Sequence, residues 1–507
     1  MKNTKRATAF LFYLLISSSA TSIHAQQASV DAIQSSKGAI DSMFTRFART
    51  QHFPGLSYAL IAEGKLVHAG NYGLINIEKK LPSSSSAAFR IASMSKSFTA
   101  MAILKLRDMG KLNLDDPAYK YIPEMKNQKY LTGDAAPVTI RHLLSHEAGF
   151  PEDNPWGDRQ LAVPDATLQK MIREGISYSN DPGIEYEYSN LGFAMLELII
   201  KNVSGTSYQD FIATNIWKPL GMNNTWWEYS KVPGEKLAHG YRWVNGNWVE
   251  QPMLHDGAYG AMGGMITTIE DFSKYVIFHL SAWPPSDNKE SGPVSRSAVR
   301  EIQHPVSVPM MNASYKYPSG RPCPTLSAYS FGLRYTKDCD GRISVGHAGG
   351  LPGFGSQWTI LPQYGIGIIS FSNLTYASAG YINGAVLDSI IALSHLKPRA
   401  IPVSPILKKR QEQLVKLLPS WEGAAESGIF AENFFLDYFN DDLNKQASDV
   451  FRSIGTIVKV HEIIPENNLR GEFLIEGTTG SCIVYFTLTP EKNPLIQEYD
   501  IELVRKR

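Results

Sequence analysis

The folded part of the chain opens on extended apolar runs. Leu56-Ser-Tyr-Ala-Leu-Ile61 is followed by Glu63-Gly64 and then by Leu66-Val-His-Ala69. Strand, turn and strand over residues 55–73 predict a hairpin. The period changes over 93–109. There Phe98, Met101, Ala102, Leu104 and Leu106 supply the apolar positions of a helix, and Gly110 is a suitable stop. From about 112 to 280 the chain reads as helix-rich and loop-rich. Thr267 with Glu270 has the capping-box spacing for a helix running through Leu280. Strand patterns return near 327–335, 342–347, 355–361 and 366–372, and Ala379 to Leu396 reads as a closing helix. Strands at both ends with helices between predict one sheet carrying an inserted helical subdomain, an α/β (α+β) architecture.

The texture shifts beyond Lys397. Three prolines between Lys397 and Pro405 mark a linker, assigned to 397–424. After it, Phe430 to Phe439 is aromatic-rich at helical spacing. Strand-like runs follow near 454–464, 470–476, 481–488 and 496–504, so 425–507 reads as a small α+β unit. Its expected role is stability or dimerisation, which makes a homo-oligomer through this unit an open expectation. The adjacent Trp226 and Trp227 are expected to divide, one into the core and one to a cleft rim.

Composition narrows the function. A hydrophobic content of 43% in 507 residues is ample for a large core. Lys plus Arg is 49 against 48 acidic residues, and the resulting net charge of +1 excludes a basic footprint for nucleic acid or an anionic membrane. Lys2, Lys5 and Arg6 precede an apolar run, Ala7 to Ile16, and Ala25 offers a small residue for cleavage. Residues 1–25 therefore read as a secretory signal, with a main unit over 26–396 and a periplasmic or secreted destination. The apolar run is too short to span a bilayer, and no stable membrane insertion is expected. Export permits disulfides. Cys323 and Cys339 flank the strand-like Ser327 to Tyr335; a bridge there is favoured over two free thiols and would contribute about 3 kcal/mol. Cys482 reads as a buried free thiol.

Three segments carry chemistry. Ser93 and Lys96, in Phe89-Arg-Ile-Ala-Ser93-Met-Ser-Lys96, stand at i and i+3 near a helix start, so the amine can reach the hydroxyl. A serine hydroxyl needs such a base to become a nucleophile. Tyr188, in Tyr188-Ser-Asn190, precedes a helical run. Beside Lys96 its pKa is expected to fall, letting it accept and return the Ser93 proton. Asn190 is placed to bond Lys96 and a substrate carbonyl. His347, in Val345-Gly-His347-Ala-Gly349-Gly350, ends a strand whose glycines allow a ligand close to the backbone. It is expected to orient substrate or to assist proton transfer near pH 7. Taken alone, each segment reads more readily as structural: an exposed helical face for Ser93 and Lys96, a buried Tyr188 with a capping Asn190, and a structural His347. His142 and His146, four apart, also offer a zinc reading, but neither H-E-x-x-H nor a third ligand accompanies them.

Together, and in this order, Ser93-Met-Ser-Lys96, Tyr188-Ser-Asn190 and His347-Ala-Gly349 resemble the motif boxes of the penicillin-recognising serine hydrolases. That family includes class C β-lactamases, DD-peptidases, D-aminopeptidases and esterases. The resemblance spans roughly 30–395 and extends to Val138–His146, Gly263–Asp271 and Leu351–Gly355. It implies a β-lactamase-like fold, an acyl-enzyme on Ser93, a small-molecule or peptide substrate, no cofactor, and no metal. It also implies an oxyanion hole from the backbone N–H groups of Ser93 and Gly350. His347 stands where β-lactamases carry a Lys that binds a carboxylate. A histidine would be only partly charged, so esterase or D-peptidase chemistry is expected over strong β-lactamase activity. The competing readings are a catalytically silent binder of cell-wall peptides and a true β-lactamase. The 425–507 unit faintly resembles the domains related to nuclear transport factor 2.

Overall fold

The computed structural model describes residues 18–504. Most of the expected signal segment, residues 1–17, lies outside the described residues. The chain divides between Pro398 and Arg399 into a main unit from Gln26 and a C-terminal unit.

The main unit contains α1 (Ser18–Thr50, which crosses the expected cleavage point) from Gln26 onward, β1 (Gly55–Ala62), β2 (Lys65–Asn76), β3 (Leu81–Pro82), α2 (Lys96–Asp108), α3 (Ile140–Ser145), α4 (Asn190–Ser204) and α5 (Ile269–Leu280). It continues with β4 (Met310–Asn312), β5 (Thr325–Tyr329), β6 (Arg334–Asp338), β7 (Ile343–Leu351), β8 (Phe354–Leu361), β9 (Ile366–Ser372) and α6 (Gly380–Ser394). The nine strands form one antiparallel sheet in the order β3-β2-β1-β9-β8-β7-β6-β5-β4. β1 pairs with β9, Leu56 opposite Ser372, so the first and last strand groups share the sheet.

Every residue of β1 is buried, because the sheet is covered on both faces. Leu56, Tyr58 and Leu60 pack with Phe44 of α1 and Val386 of α6. Ala59 and Ile61 point the other way, into a core with Phe98 of α2 and Phe272 of α5. Trp227 is buried in that same core, whereas Trp226 packs on a small cluster around Ile266 and does not line the cleft described below.

Two local expectations shift. The single run over 327–335 is a hairpin: β5 ends at Tyr329, the chain turns through Gly332 at φ +68°, and β6 starts at Arg334. A Cβ at Gly332 would stand 2.6 Å from the Lys96 carbonyl oxygen, so the turn fits only a glycine. Pairing of Thr325 with Asp338 brings Cys323 and Cys339 together, and they are bridged with Cα atoms 5.3 Å apart. The cap of α5 is Thr268, whose hydroxyl accepts the Asp271 N–H at 3.2 Å. Thr267 instead pairs with Phe89 and bonds Thr225 through its hydroxyl.

The proposed linker over 397–424 is not one. Ser404 caps α7 (Pro405–Leu417), and Leu407, Leu414, Leu418 and Trp421 are buried with Phe473 and Phe486 in the C-terminal core. Pro405 opens this helix, where its missing N–H costs nothing. Only Phe434–Asp437 of the aromatic stretch forms a helical turn; the main helix is α8 (Asn440–Ile454). It packs on a sheet of β10 (Ile457–Val460), β11 (Ile464–Asn467), β12 (Arg470–Gly477), β13 (Ser481–Leu488) and β14 (Ile496–Leu503). Cys482 is free and buried. Among the described residues no helix is long and apolar enough to cross a membrane.

Candidate active site

Ser93 lies in a 3-10 turn, Ala92–Ser95, which feeds into α2 three residues later than the apolar pattern implied. Ala92 holds φ at +49°, a conformation costing a residue with a Cβ about 1–2 kcal/mol. The Lys96 N–H closes the turn on the Ser93 carbonyl, and the side chains follow. Lys96 Nζ is 3.1 Å from Ser93 Oγ, 2.7 Å from Asn190 Oδ1 and 2.9 Å from the Met262 carbonyl. Burial pulls its pKa down to about 7, although Asp158 and Asp153 draw it up; Arg334 adds to the lowering. A neutral amine here donates to Asn190 and Met262 and directs its lone pair at the Ser93 hydroxyl. That is the geometry of a general base.

Tyr188 stands just before α4. Its phenol is in hydrogen-bonding contact with Ser93, and Lys96 Nζ is 4.9 Å from the ring centre. The expected fall in its pKa does not occur. Burial raises it, and the Ser93 contact and Arg334 offset only part of that. A buried amine that gives up its own charge is a weak partner for a phenolate, so Tyr188 is a neutral donor. Its segment is held from below. Asp153 accepts the N–H groups of Asn190 at 2.6 Å and Leu191 at 2.9 Å. His146 Nδ1 accepts the Ser189 N–H at 3.1 Å, with its ring centre 4.2 Å from that of Tyr188. His142 caps α3 through Thr139. The two histidines of the zinc reading thus both hold backbone. Asn190 bonds Lys96 as expected, and its amide nitrogen donates to Asn154 Oδ1 at 3.0 Å.

His347 lies on β7 with both ring nitrogens engaged, Nε2 with the Tyr329 hydroxyl at 2.9 Å and Nδ1 with the Ala348 carbonyl. Burial, then Arg334 and Lys96, push its pKa well below the usual histidine value. It is therefore uncharged at neutral pH and not free to shuttle protons, which corrects the proton-transfer role expected of it; it still lines the cleft beside Ser93. Gly349 is required by packing, since a Cβ there would stand 2.2 Å from the Ile91 carbonyl and Ser356 Oγ. A Cβ on Gly350 would stand 2.9 Å from the Tyr376 ring.

Ser93, Tyr188, His347, Gly349 and Gly350 line one cleft of about 240 Å³. Asn154, Asp158, Arg334 and Tyr376 share it, and sequence reasoning named none of them. Arg334 pairs in register with Gly346, and its guanidinium is 5.7 Å from the Tyr188 ring centre. Its position follows from the hairpin turn at Gly332, which the apolar pattern concealed. Asn154 and Asp158 had a faint signal, the polar Pro- and Gly-containing stretch 151–158.

A family model described as Beta-lactamase matches residues 40–389. The chain belongs to the beta-lactamase family. Protein flp of Staphylococcus aureus strain COL is 30% identical over 344 residues, covering 66% of this chain and 62% of its own length. The chain thus spans less than two thirds of that relative. Penicillin-binding protein 4* of Bacillus subtilis is 31% identical over 212 residues, 41% of this chain and 45% of its own. The octameric penicillin-binding protein homologue from Pyrococcus abyssi has the same fold, with a TM-score of 0.58, 24% identity, and coverage of 92% of this chain and 96% of that one. In this beta-lactamase-family chain the matched region contains all three motif segments and the cleft they line.

Proposed function

We propose that the chain is a serine hydrolase that cleaves an ester or amide through an acyl-enzyme on Ser93. The observation that carries this reading is the Lys96 amine, held 3.1 Å from Ser93 Oγ with its pKa lowered to about 7. Ser93 Oγ attacks the substrate carbonyl carbon as its proton passes to Lys96, and the carbonyl oxygen takes the charge against the N–H groups of Ser93 and Gly350. The carbon–oxygen or carbon–nitrogen bond to the leaving group then breaks. The leaving group takes its proton from the Tyr188 hydroxyl, which is replenished from Lys96. Water repeats the sequence on the acyl-enzyme, releasing the acid and restoring Ser93.

The charge that would meet a substrate carboxylate is Arg334, since His347 is neutral. That cation would meet the carboxylate of a D-peptide or of a β-lactam alike, so the preference for the D-peptidase and esterase branches rests on the neutral His347 at the third box alone. The leader reading places the enzyme in the periplasm or outside the cell, which N-terminal sequencing of exported protein tests. The Pyrococcus homologue is octameric; for this chain we propose self-association through the C-terminal unit, testable by sedimentation of protein lacking residues 399–507. Intact-protein mass spectrometry after exposure to a fluorophosphonate or a penicillin tests the chemistry. One adduct, lost in Ser93→Ala, is expected; an unlabelled wild type overturns the reading.

A further inference from the structure

Lys96 meets three partners, and two of them fix where its lone pair points. Asn190 Oδ1 is one, and Asn190 is held in turn by Asn154. The other is the main-chain carbonyl of Met262, 2.9 Å from Nζ. A main-chain oxygen has no rotamer of its own. It points where the helical turn Gly260–Gly263 holds it.

That turn is held by two helices. α4 carries Asn190 and, seven residues further along the same face, Glu197. Glu197 is 5% exposed, and its Oε2 accepts the Ala261 N–H at 2.7 Å. α2 carries Lys96 and, one turn on, the buried Thr99, whose hydroxyl donates to the Ala261 carbonyl at 2.9 Å. The N–H and the carbonyl of Ala261 are thus both pinned, one residue before Met262. Behind them, Gln209 Nε2 donates to Glu197 Oε1 at 3.0 Å and to Asp256 Oδ2 at 2.8 Å. The turn lies directly on these carboxyl groups: a Cβ on Gly260 would stand 2.7 Å from Asp256 Oδ1 and 3.3 Å from Glu197 Oε2. Burial first, then Asp256, push the Glu197 pKa well above the usual carboxylate range, against the hydrogen bonds from Ala261 and Gln209. It is a neutral acid at neutral pH. Burying a carboxyl group costs stability that an apolar side chain in its place would not. Neither Glu197 nor Thr99 lines the cleft.

We propose that Glu197 and Thr99 are positioning residues for acylation: they clamp Ala261 so that the Met262 carbonyl is aimed at Lys96 and the amine's lone pair at Ser93. This rests on the general-base reading above. The rival role for the pair is packing alone.

The test uses the full-length protein and p-nitrophenyl acetate over a pH series, with rates expressed per active site titrated by a fluorophosphonate. Glu197→Leu and Thr99→Val are each expected to lower kcat/KM by about tenfold or more, the scale of one buried hydrogen bond. A carbonyl acceptor favours the ammonium, so misaiming it should also move the rising limb to lower pH. The groups that face Lys96, namely Asp158, Asp153, Arg334, Tyr188, His146 and His347, stay in place in both variants, and Glu197 is itself uncharged. Glu197→Gln keeps an acceptor oxygen for the Ala261 N–H and should recover most of the rate and the position of the limb. Packing alone predicts a lower melting temperature with the limb unmoved. An unmoved limb overturns the clamp, as does a Gln variant as impaired as the Leu variant. Thr99→Val, close to threonine in shape, decides if Glu197→Leu does not fold. A labelled wild type with unmoved variants overturns the clamp alone. A wild type that is neither labelled nor turns over the ester overturns the acyl-enzyme reading and the clamp with it.

Discussion

The Tyr329 hydroxyl stands 2.9 Å from His347 Nε2, while Nδ1 of the same ring faces the Ala348 carbonyl. The ring is locked between two partners in its neutral form, and the charge on this side of the cleft comes from Arg334, one strand away. A motif position that elsewhere carries a cation here carries a fixed dipole, with the cation relocated.

Arg334→Gln should therefore weaken substrates with a free carboxylate on the leaving-group side. A charge-assisted contact is worth about 1.5–3 kcal/mol, so kcat/KM should fall about 10- to 100-fold for such substrates. Their methyl esters should change far less. Paired steady-state measurements on acid and ester check this, and equal losses for both would assign Arg334 a structural role.

Lys96→Met and Tyr188→Phe should each slow acylation by about 10²- to 10⁴-fold, the usual contribution of one acid–base group. Stopped-flow acylation by an activated ester reads this step directly. Lys96 donates or accepts at three partners, so the Lys96 variant also needs a folding control such as near-ultraviolet circular dichroism.

The active form of Lys96 is the neutral amine, so kcat/KM should rise with pH through an apparent pKa near the value of about 7 given by its burial. The facing charges set the direction of each shift. Asp158 and Asp153 stabilise the ammonium and Arg334 opposes it. Asp158→Asn should move the rising limb to lower pH, and Arg334→Gln should move it to higher pH. Profiles recorded on an N-acetyl substrate measure both; shifts of the opposite sign would exclude Lys96 as the titrating group.

The Cys323–Cys339 bridge closes a loop with a sequence separation of 16 across the open end of the β5–β6 hairpin. On chain-entropy grounds it contributes about 3 kcal/mol to keeping that excursion closed. Reduction, or replacement of both cysteines by serine, should expose residues 323–339 to proteolysis. Limited trypsin digestion with mapped fragments checks this, and an unchanged digestion pattern would mean that the strand pairing alone holds the loop.

Sequence alone determined what depends on near neighbours. Ser93 and Lys96 are three residues apart, so one turn of backbone suffices to join them. Tyr188 and His347 were legible because their motif segments recur in a family in that order. Strands such as β1 and β9 were legible as continuous apolar runs, because both faces of the sheet are covered. Proline, by contrast, punctuates without specifying: Pro405 opens a helix with the same residue type that suggested a linker.

Tertiary structure decided what depends on sums over distant groups. The break at Gly332 is imposed by the Lys96 backbone packed against it, and that break puts Arg334 at the cleft. Asp158 enters the same cleft from a polar loop with no periodic pattern. Protonation was decided the same way. Lys96 is lowered, Tyr188 raised and His347 neutral because desolvation is contributed by every element packed around a side chain, and no local spacing along the chain encodes it.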